Sequence, residues 1–140
     1  MTFVDTNVLV YSTAETAPFH QQARAAPARE LATGQLAISR QVLREYLATV
    51  TRPQTWSRAL TLTEAFEDAQ AFARRFVLLE DGPAVWDKVA ALGRTVVFAG
   101  KQVHDANLVA TMLAYGVAPL LTFNVADFQR FSPVVETVAP

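Results

Sequence analysis

Short apolar segments alternate along this chain with segments of helical periodicity, and this alternation restricts the possible folds more than any other feature. We predict strands over 2–5, 36–39, 77–79, 119–123 and 133–138. Between them the sequence predicts helices over 18–33, 40–52, 61–76, 83–92 and 104–115, with a short helical segment after 119–123. Strands that alternate with helices favour an α/β fold with a parallel sheet covered on both faces.

Residues at the helix ends support these boundaries. Thr61 and Glu64 have the spacing of a capping box at the start of the helix over 61–76. Pro53 ends the helix over 40–52, because the residue before a proline is disfavoured in helical geometry. The segment TVVFAG over 95–100 is ambiguous between a strand and a buried loop.

Composition narrows the class of protein. The chain has 140 residues, of which 51% are hydrophobic and 18% charged, so we expect one domain over 1–140 with a hydrophobic core rather than disorder. No apolar run approaches the roughly 18 residues that span a bilayer, and no basic segment precedes an apolar one near the N-terminus. We therefore expect neither a membrane span nor a secretory signal.

The types of charged and reactive residue exclude several chemistries. There is no cysteine, which excludes disulfides, thiolate zinc sites and cysteine nucleophiles and is compatible with a reducing cytoplasm. The two histidines, His20 and His104, do not have the spacing of a zinc pair. With a net charge of −1, any nucleic-acid binding must depend on a local basic patch. The mean hydropathy of +0.19 suggests a subunit or partner interface.

Polar residues follow two of the predicted strands. Asp5 ends the first strand, and Asn124 and Asp127 follow the strand over 119–123. Ligands bind beyond the carboxyl ends of strands in parallel sheets, so these residues are predicted to share one edge. The alternative is local: Asp5 as a helix N-cap and Asp127 as a cap or turn acid.

Two further carboxylates lie on predicted helices. Asp105 shares a stripe with Leu108, Val109 and Met112, which puts a carboxylate in an apolar position of the helix. The alternative is an acid of the first turn, stabilised by the helix N-terminus. Glu45 lies at the margin of the apolar stripe over 40–52, where it either reaches toward the sheet edge or stays in solvent.

Carboxylates gathered at one edge repel each other unless a cation or protons neutralise them. Oxygen ligands without cysteine or a histidine cluster favour Mg²⁺ or Mn²⁺ over zinc. The motifs of P-loop, dinucleotide-binding and serine-hydrolase sites are absent. Arg40 and Arg44 share the helix of Glu45, so we expect them to offer phosphate-binding donors beside the acids.

Four stretches of the chain carry a family resemblance: FVDTNVLVY at 3–11, SRQVLREYLATVTRP at 39–53, HDANLVATMLAYG at 104–116 and LLTFNVADFQRF at 120–131. In these stretches the chain resembles the PIN-domain family of metal-dependent nucleases, and in particular the VapC-type toxins of prokaryotic toxin–antitoxin pairs. The resemblance covers nearly the whole chain. It implies a Rossmann-like three-layer α/β/α sandwich around a parallel sheet of about five strands.

Matched position by position, the resemblance also implies a set of site residues. The acidic ones are Asp5, Glu45, Asp105 and Asp127. Accompanying polar positions fall at Asn7, Thr122 and Asn124. Some family members have an aspartate where this chain has Asn124, and here the acid comes three residues later. Whether Asn124 or Asp127 completes the site is therefore open at this point.

The resemblance implies a Mg²⁺- or Mn²⁺-dependent endoribonuclease, the toxin of a type II toxin–antitoxin pair. The metal ligands would be Asp5, Asp105 and Asp127, with Glu45 completing the shell or orienting the attacking water. Asn7, Thr122 and Asn124 would hold ligands or orient substrate. The resemblance further implies an RNA substrate, a VapB-like antitoxin and a homodimer.

Two other functions fit the same fold. An aspartyl-phosphate phosphotransferase would also carry an acid after its first strand, but it would have a second acid beside Asp5 or at position 7, where this chain has Thr6 and Asn7. A non-catalytic interaction module would keep the fold and bind a partner. It would not need all four acids.

Overall fold

The computed structural model describes residues 1–140 and contains one sheet of five parallel strands. The strands are β1 (Thr2–Val4), β2 (Leu36–Ser39), β3 (Val77–Leu79), β4 (Leu120–Leu121) and β5 (Thr137–Val138). Their order across the sheet is β3-β2-β1-β4-β5, and every neighbouring pair is parallel. The prediction of an α/β fold with a parallel sheet is confirmed.

Seven α-helices connect the strands. They are α1 (Thr6–Thr13), α2 (His20–Thr33), α3 (Arg40–Val50), α4 (Leu62–Arg75), α5 (Pro83–Leu92), α6 (Gln102–Tyr115) and α7 (Val125–Phe128). The capping box of Thr61 and Glu64 is present at the start of α4. Helix α1 was not predicted, because Val8, Leu9 and Val10 are all buried and leave it no helical periodicity.

The last strands are shorter than the sequence predicts. Only residues 120–121 of the predicted 119–123 and residues 137–138 of the predicted 133–138 are strand. Pro119 has no N–H to donate, so Leu120 is the first donor of β4, although the Pro119 carbonyl accepts from the Phe3 N–H. The ambiguous segment over 95–100 is a loop between α5 and α6, and its Val97 is 91% exposed.

Helices and sheet form three layers, with the sheet in the middle. Helix α1 packs on α2 and on α3, α3 packs on α4, and α5 packs on α6 as a second group. The core is built on β1, whose Phe3 and Val4 are fully buried, and on β4, whose Leu120 and Leu121 are fully buried. No helix combines the length and the hydrophobicity needed to cross a lipid bilayer.

The strand order creates a crevice at the carboxyl end of β1. Strand β2 pairs with β1 on one side of β1, and β4 pairs with β1 on its other side, so the strand order reverses at β1. Ligand sites in open α/β sheets lie at such a reversal of strand order. Val4 pairs with Leu121, so the residues that follow, Asp5 and Thr122, emerge side by side.

Candidate active site

Asp5 is the most constrained carboxylate of the site. It is only 7% exposed, and it is the N-cap of α1, with Oδ1 accepting a hydrogen bond of 2.7 Å from the Thr6 N–H. Its Oδ2 accepts from Asn7 Nδ2 at 2.8 Å and from Thr122 Oγ1 at 2.7 Å. The cap alternative is therefore realised, and the same carboxylate also lies at the sheet edge.

Burial raises the pKa of Asp5 to about 6, and the nearby charges of Glu45 and Asp105 act in the same direction. The hydrogen bonds from Thr122 and Thr6 oppose this rise because they favour the charged form. A cation bound nearby would therefore stabilise the charged form of Asp5.

Thr122 and Asn7 form a hydrogen-bonded support behind Asp5. Thr122 is fully buried, and its Oγ1 also accepts from the backbone N–H of Asn124 at 3.0 Å and from Asn7 Nδ2 at 3.2 Å. Asn7 Oδ1 in turn accepts from the backbone N–H of Phe123 at 3.1 Å. These bonds fasten the start of α1 to the segment that follows β4.

Glu45 is held at both carboxylate oxygens. Thr6 Oγ1 donates to Oε2 at 2.8 Å, and Gln41 Nε2, one helical turn earlier on α3, donates to Oε1 at 2.8 Å. Gln41 is buried and links α3 to α6, because it also donates to the His104 carbonyl at 2.8 Å and accepts from Asn107 Nδ2 at 2.7 Å. Sequence reasoning missed Gln41 and Thr6. The spacing of Gln41 and Glu45, four residues apart on one helix, was the available signal.

Asp105 and Asp127 supply carboxylates that accept no hydrogen bond from the protein. Asp105 lies in the first turn of α6 and is half-buried. Its pKa is raised above its ordinary value by burial and by the charges of Asp127 and Glu45, while Arg130 and His104 lower it. Asp127 is exposed on α7, and the Asn124 side chain precedes it at the N-cap position.

All four carboxylates line one open pocket of about 520 Å³. Asn7 and Asn124 line it too, whereas Thr122 lies beneath its floor. None of the four acids forms an ion pair. The two ion pairs of the chain, Arg40–Glu80 and Arg58–Glu64, involve other carboxylates. The pocket therefore collects negative charge that no neighbouring basic side chain neutralises directly.

The basic residues near the acids differ from those predicted. Arg40 and Arg44 line a separate groove between α3 and α4, and Arg40 forms an ion pair of 2.8 Å with Glu80. Arg52 and Lys101 line the acidic pocket instead. The prediction that placed Arg40 and Arg44 beside the acids is corrected, because on α3 they point along the side of the helix that faces α4.

The donor set fits a hard divalent cation bound partly through water. Most of the potential ligands in the pocket lining are oxygen atoms, with His104 the one imidazole among them, and the carboxylates of Asp105 and Asp127 are free to accept contacts. No three Asp, Glu or His side chains lie close enough together to enclose an ion by themselves. Mg²⁺ typically binds one or two carboxylates directly and keeps several waters. This mode of binding suits acids that line one pocket without enclosing an ion.

An acidic pocket at the strand-order reversal of a parallel sheet defines a class: an α/β protein whose site suits a divalent cation. A PIN-domain family model matches residues 2–132. The chain therefore belongs to the PIN-domain family, as the four sequence stretches predicted.

Individual relatives agree with this assignment. The chain is 32% identical over 133 residues to ribonuclease VapC24 of Mycobacterium tuberculosis, covering 94% of this chain and 91% of that protein. The crystal structure of Mycobacterium tuberculosis VapC20, a sarcin–ricin loop cleaving toxin, covers 100% of both chains with a TM-score of 0.71 and 16% identity. VapBC2 from Rickettsia felis, bound to a promoter DNA fragment, gives a TM-score of 0.68 at 17% identity and covers 97% of each chain. The two solved structures establish likeness of fold.

Proposed function

We propose that this chain is a Mg²⁺- or Mn²⁺-dependent endoribonuclease that acts as the toxin of a toxin–antitoxin pair. The observation that carries the proposal is the set of four carboxylates, none of them in an ion pair, that line one pocket of a PIN-domain chain. The similarity to a protein named as a ribonuclease supports RNA as the substrate.

Asp5, Asp105 and Asp127 would hold the metal ion, directly or through water. A bound divalent cation lowers the pKa of a water ligand and offsets charge on phosphate oxygens. Asp5 presents a fixed carboxylate because Thr6, Asn7 and Thr122 bind its two oxygens. Asp105 and Asp127 have no such restraint and are free to adjust to the ion or its waters.

Glu45 is suited to orient the attacking water. Each of its oxygens accepts one hydrogen bond from the protein and keeps further acceptor capacity, and Glu45 lines the pocket. Because Thr6 and Gln41 fix the carboxylate, a water bound there is held in one direction. Asn124, which also lines the pocket, is placed to orient substrate or a metal-bound water.

Partners follow from the same assignment. We place a VapB-like antitoxin over the pocket, as is supported by the similarity of the fold to toxin–antitoxin complexes. We also propose a homodimer, since Trp86 on α5 is 71% exposed and Tyr115 on α6 is 48% exposed. The proposed unit is a single domain over 1–140 that acts on RNA in the cytoplasm. Size-exclusion chromatography with light scattering tests the dimer.

Cleavage of structured and unstructured RNA, with Mg²⁺ or Mn²⁺ titrated from zero, tests the proposed activity. We expect Asp5→Asn and Asp105→Asn to lose about 100-fold or more in rate. Circular dichroism checks that each variant is folded. Asp87→Asn removes an exposed acid from α5, outside the pocket, and serves as the matched control with full activity.

Four outcomes would contradict the proposal in different ways. Undiminished metal-dependent cleavage by Asp5→Asn removes Asp5 from its role. Full cleavage in EDTA would show that the reaction needs no divalent metal ion. The absence of cleavage in every RNA and metal condition, with a partner still bound, favours the non-catalytic interaction module, whereas labelling of Asp5 by a phosphate donor favours the phosphotransferase.

A further inference from the structure

Four aromatic side chains form a cluster that adjoins the acidic pocket through two of its members, and we call this cluster the aromatic platform: Tyr11, Phe19, Trp56 and Phe123. Phe19 stacks on Phe123 with ring centroids 5.4 Å apart and planes at 24°. Tyr11 meets Phe123 edge-on at 5.3 Å and Trp56 edge-on at 6.1 Å. Tyr11 and Trp56 also line the pocket, so the platform continues directly from the carboxylates.

Phe19 is held in a backbone conformation that side chains disfavour. It is the only non-glycine residue with positive φ, at φ 55° and ψ 23°, immediately before α2. For a bulky residue this left-handed conformation is an outlier, and such strain concentrates at functional sites. Phe19 as a whole residue is 57% exposed, so burial does not account for this conformation. His20, which is hydrogen-bonded to the Tyr11 carbonyl at 2.8 Å, fastens this segment to α1.

The platform is joined to the catalytic carboxylates by the backbone. Phe123 lies between Thr122 and Asn124, and its N–H donates to Asn7 Oδ1 at 3.1 Å. The hydrogen bonds that support Asp5 therefore also fix the backbone of Phe123, whose ring stacks on Phe19. Arg52 and Lys101 line the same pocket and give it positive groups that a phosphate backbone would contact.

We propose that the aromatic platform binds an unpaired nucleobase of the RNA, stacked on the Phe19 ring beside the acidic pocket. This inference rests on the proposed function and assigns the aromatic ring that would hold a base of a single-stranded or looped RNA. A base within a duplex already stacks on its neighbours, whereas an unpaired base offers a free face to an aromatic side chain. Such stacking tolerates any sequence because every base has an aromatic face.

Binding without cleavage tests the proposal. The full chain is titrated, in EDTA, against a fluorescein-labelled 12-nucleotide RNA of mixed sequence and against the duplex that this RNA forms with its complement. We expect Phe19→Leu and Phe19→Gly to bind the single strand about tenfold or more weakly, with duplex binding unchanged. Phe19→Trp keeps a stacking surface and should bind at least as well as the natural chain.

Two variants separate this effect from a loss of folding. Phe19→Gly relieves the positive φ, so it should unfold at the same or a higher temperature than the natural chain while it binds single-stranded RNA more weakly. Phe66→Leu alters an exposed phenylalanine of α4 that lines the groove between α3 and α4, and it should leave both affinities unchanged.

If Phe19→Leu and Phe19→Gly bind the single strand with the affinity of the natural chain, the proposal is wrong. The platform would then be a candidate binding surface for a protein partner. Equal weakening for single strand and duplex would also overturn the proposal, because the ring would then recognise no unpaired base. Binding of single-stranded RNA through Phe19 by a chain that cleaves nothing would contradict the proposed ribonuclease activity alone. Cleavage of single-stranded RNA at the natural rate by both variants would contradict the base-stacking proposal alone.

Discussion

Thr122 donates a hydrogen bond of 2.7 Å from Oγ1 to Oδ2 of Asp5, although 117 positions separate the two residues. They meet because β1 and β4 are neighbours and Val4 pairs with Leu121, so the next residue of each strand emerges at the same edge. The bond favours the charged carboxylate against a burial that opposes it. The proposed role of Asp5 as a metal ligand needs the charged form, which therefore depends on a residue from the other end of the chain.

Thr122→Val should lower metal-dependent cleavage about 10- to 100-fold, the usual cost of losing a residue that supports a metal ligand. Valine has a similar shape but removes one of the two donors to Asp5 Oδ2 and leaves the Asn124 N–H without its acceptor. Thr122→Ser keeps the hydroxyl and should retain most of the activity. Thr2→Val changes a buried threonine at the opposite end of β1 and is the control. An active Thr122→Val would contradict this role.

The pKa of Asp5 makes the stability of the metal-free chain depend on pH. In the folded chain this pKa is about 6 against an ordinary 3.8, so between these values the folded chain keeps a proton that the unfolded chain has lost. The stabilisation is complete below about pH 3.8 and is lost as the pH rises through about 6. From pH 5 to 7.5 the natural chain should lose about 1.4 kcal/mol relative to Asp5→Asn.

Urea denaturation of both chains in EDTA at the two pH values measures this difference. Asparagine caps a helix as well as aspartate does, so the comparison isolates the charge rather than the cap of α1. The difference in free energy of unfolding between the two chains could instead stay constant, or grow in favour of the natural chain at the higher pH. Either result would show that burial does not raise the pKa of Asp5.

Gln41→Met should destabilise the fold by about 1–3 kcal/mol and slow cleavage, because the buried amide joins α3 to α6 and holds Glu45. Methionine fills the space but makes none of these hydrogen bonds. Gln70→Met, on the exposed surface of α4, is the matched control. The free energy of unfolding and the cleavage rate measure the two effects. Equal stability of the two variants would rule out this account of Gln41.

Arg52 and Lys101 should contribute to RNA binding, whereas Arg40 and Arg44 should not. The double variant Arg52→Gln with Lys101→Gln should bind single-stranded RNA more weakly and reduce the slope of log affinity against log salt by about 0.7 for each lost phosphate contact. Arg40→Gln with Arg44→Gln removes the same charge from the groove between α3 and α4. If both double variants change the slope equally, Arg52 and Lys101 contact RNA phosphates no more than Arg40 and Arg44 do.

Much of the fold could be predicted because its determinants are local. The apolar strand runs and the capping box of α4 are visible in a few neighbouring residues. Helix α1 was not predicted, since a helix buried on more than one face has no periodicity to detect. The two-residue strands β4 and β5 were predicted too long, because pairing with a neighbouring strand, and not residue type, decides where a ladder ends.

The site followed the same division between local and distant causes. The position of Asp5 and Asp127 after strands, and of Asp105 in an apolar stripe, indicated a shared site, and all three line one pocket. The direction of Arg40 was not predictable, because it depends on an ion pair with Glu80, which follows β3. Gln41 and Phe19 were missed for a related reason: their partners lie on other elements.

The most direct test of the central claim is anomalous diffraction from a crystal of this chain soaked in MnCl₂. A manganese peak in the acidic pocket, in contact with Asp5 and with Asp105 or Asp127 directly or through water, is the result the account predicts. The peak should vanish in Asp5→Asn. A pocket without a peak at a manganese concentration that supports full RNA cleavage would contradict the claim that these carboxylates gather to hold a catalytic divalent cation.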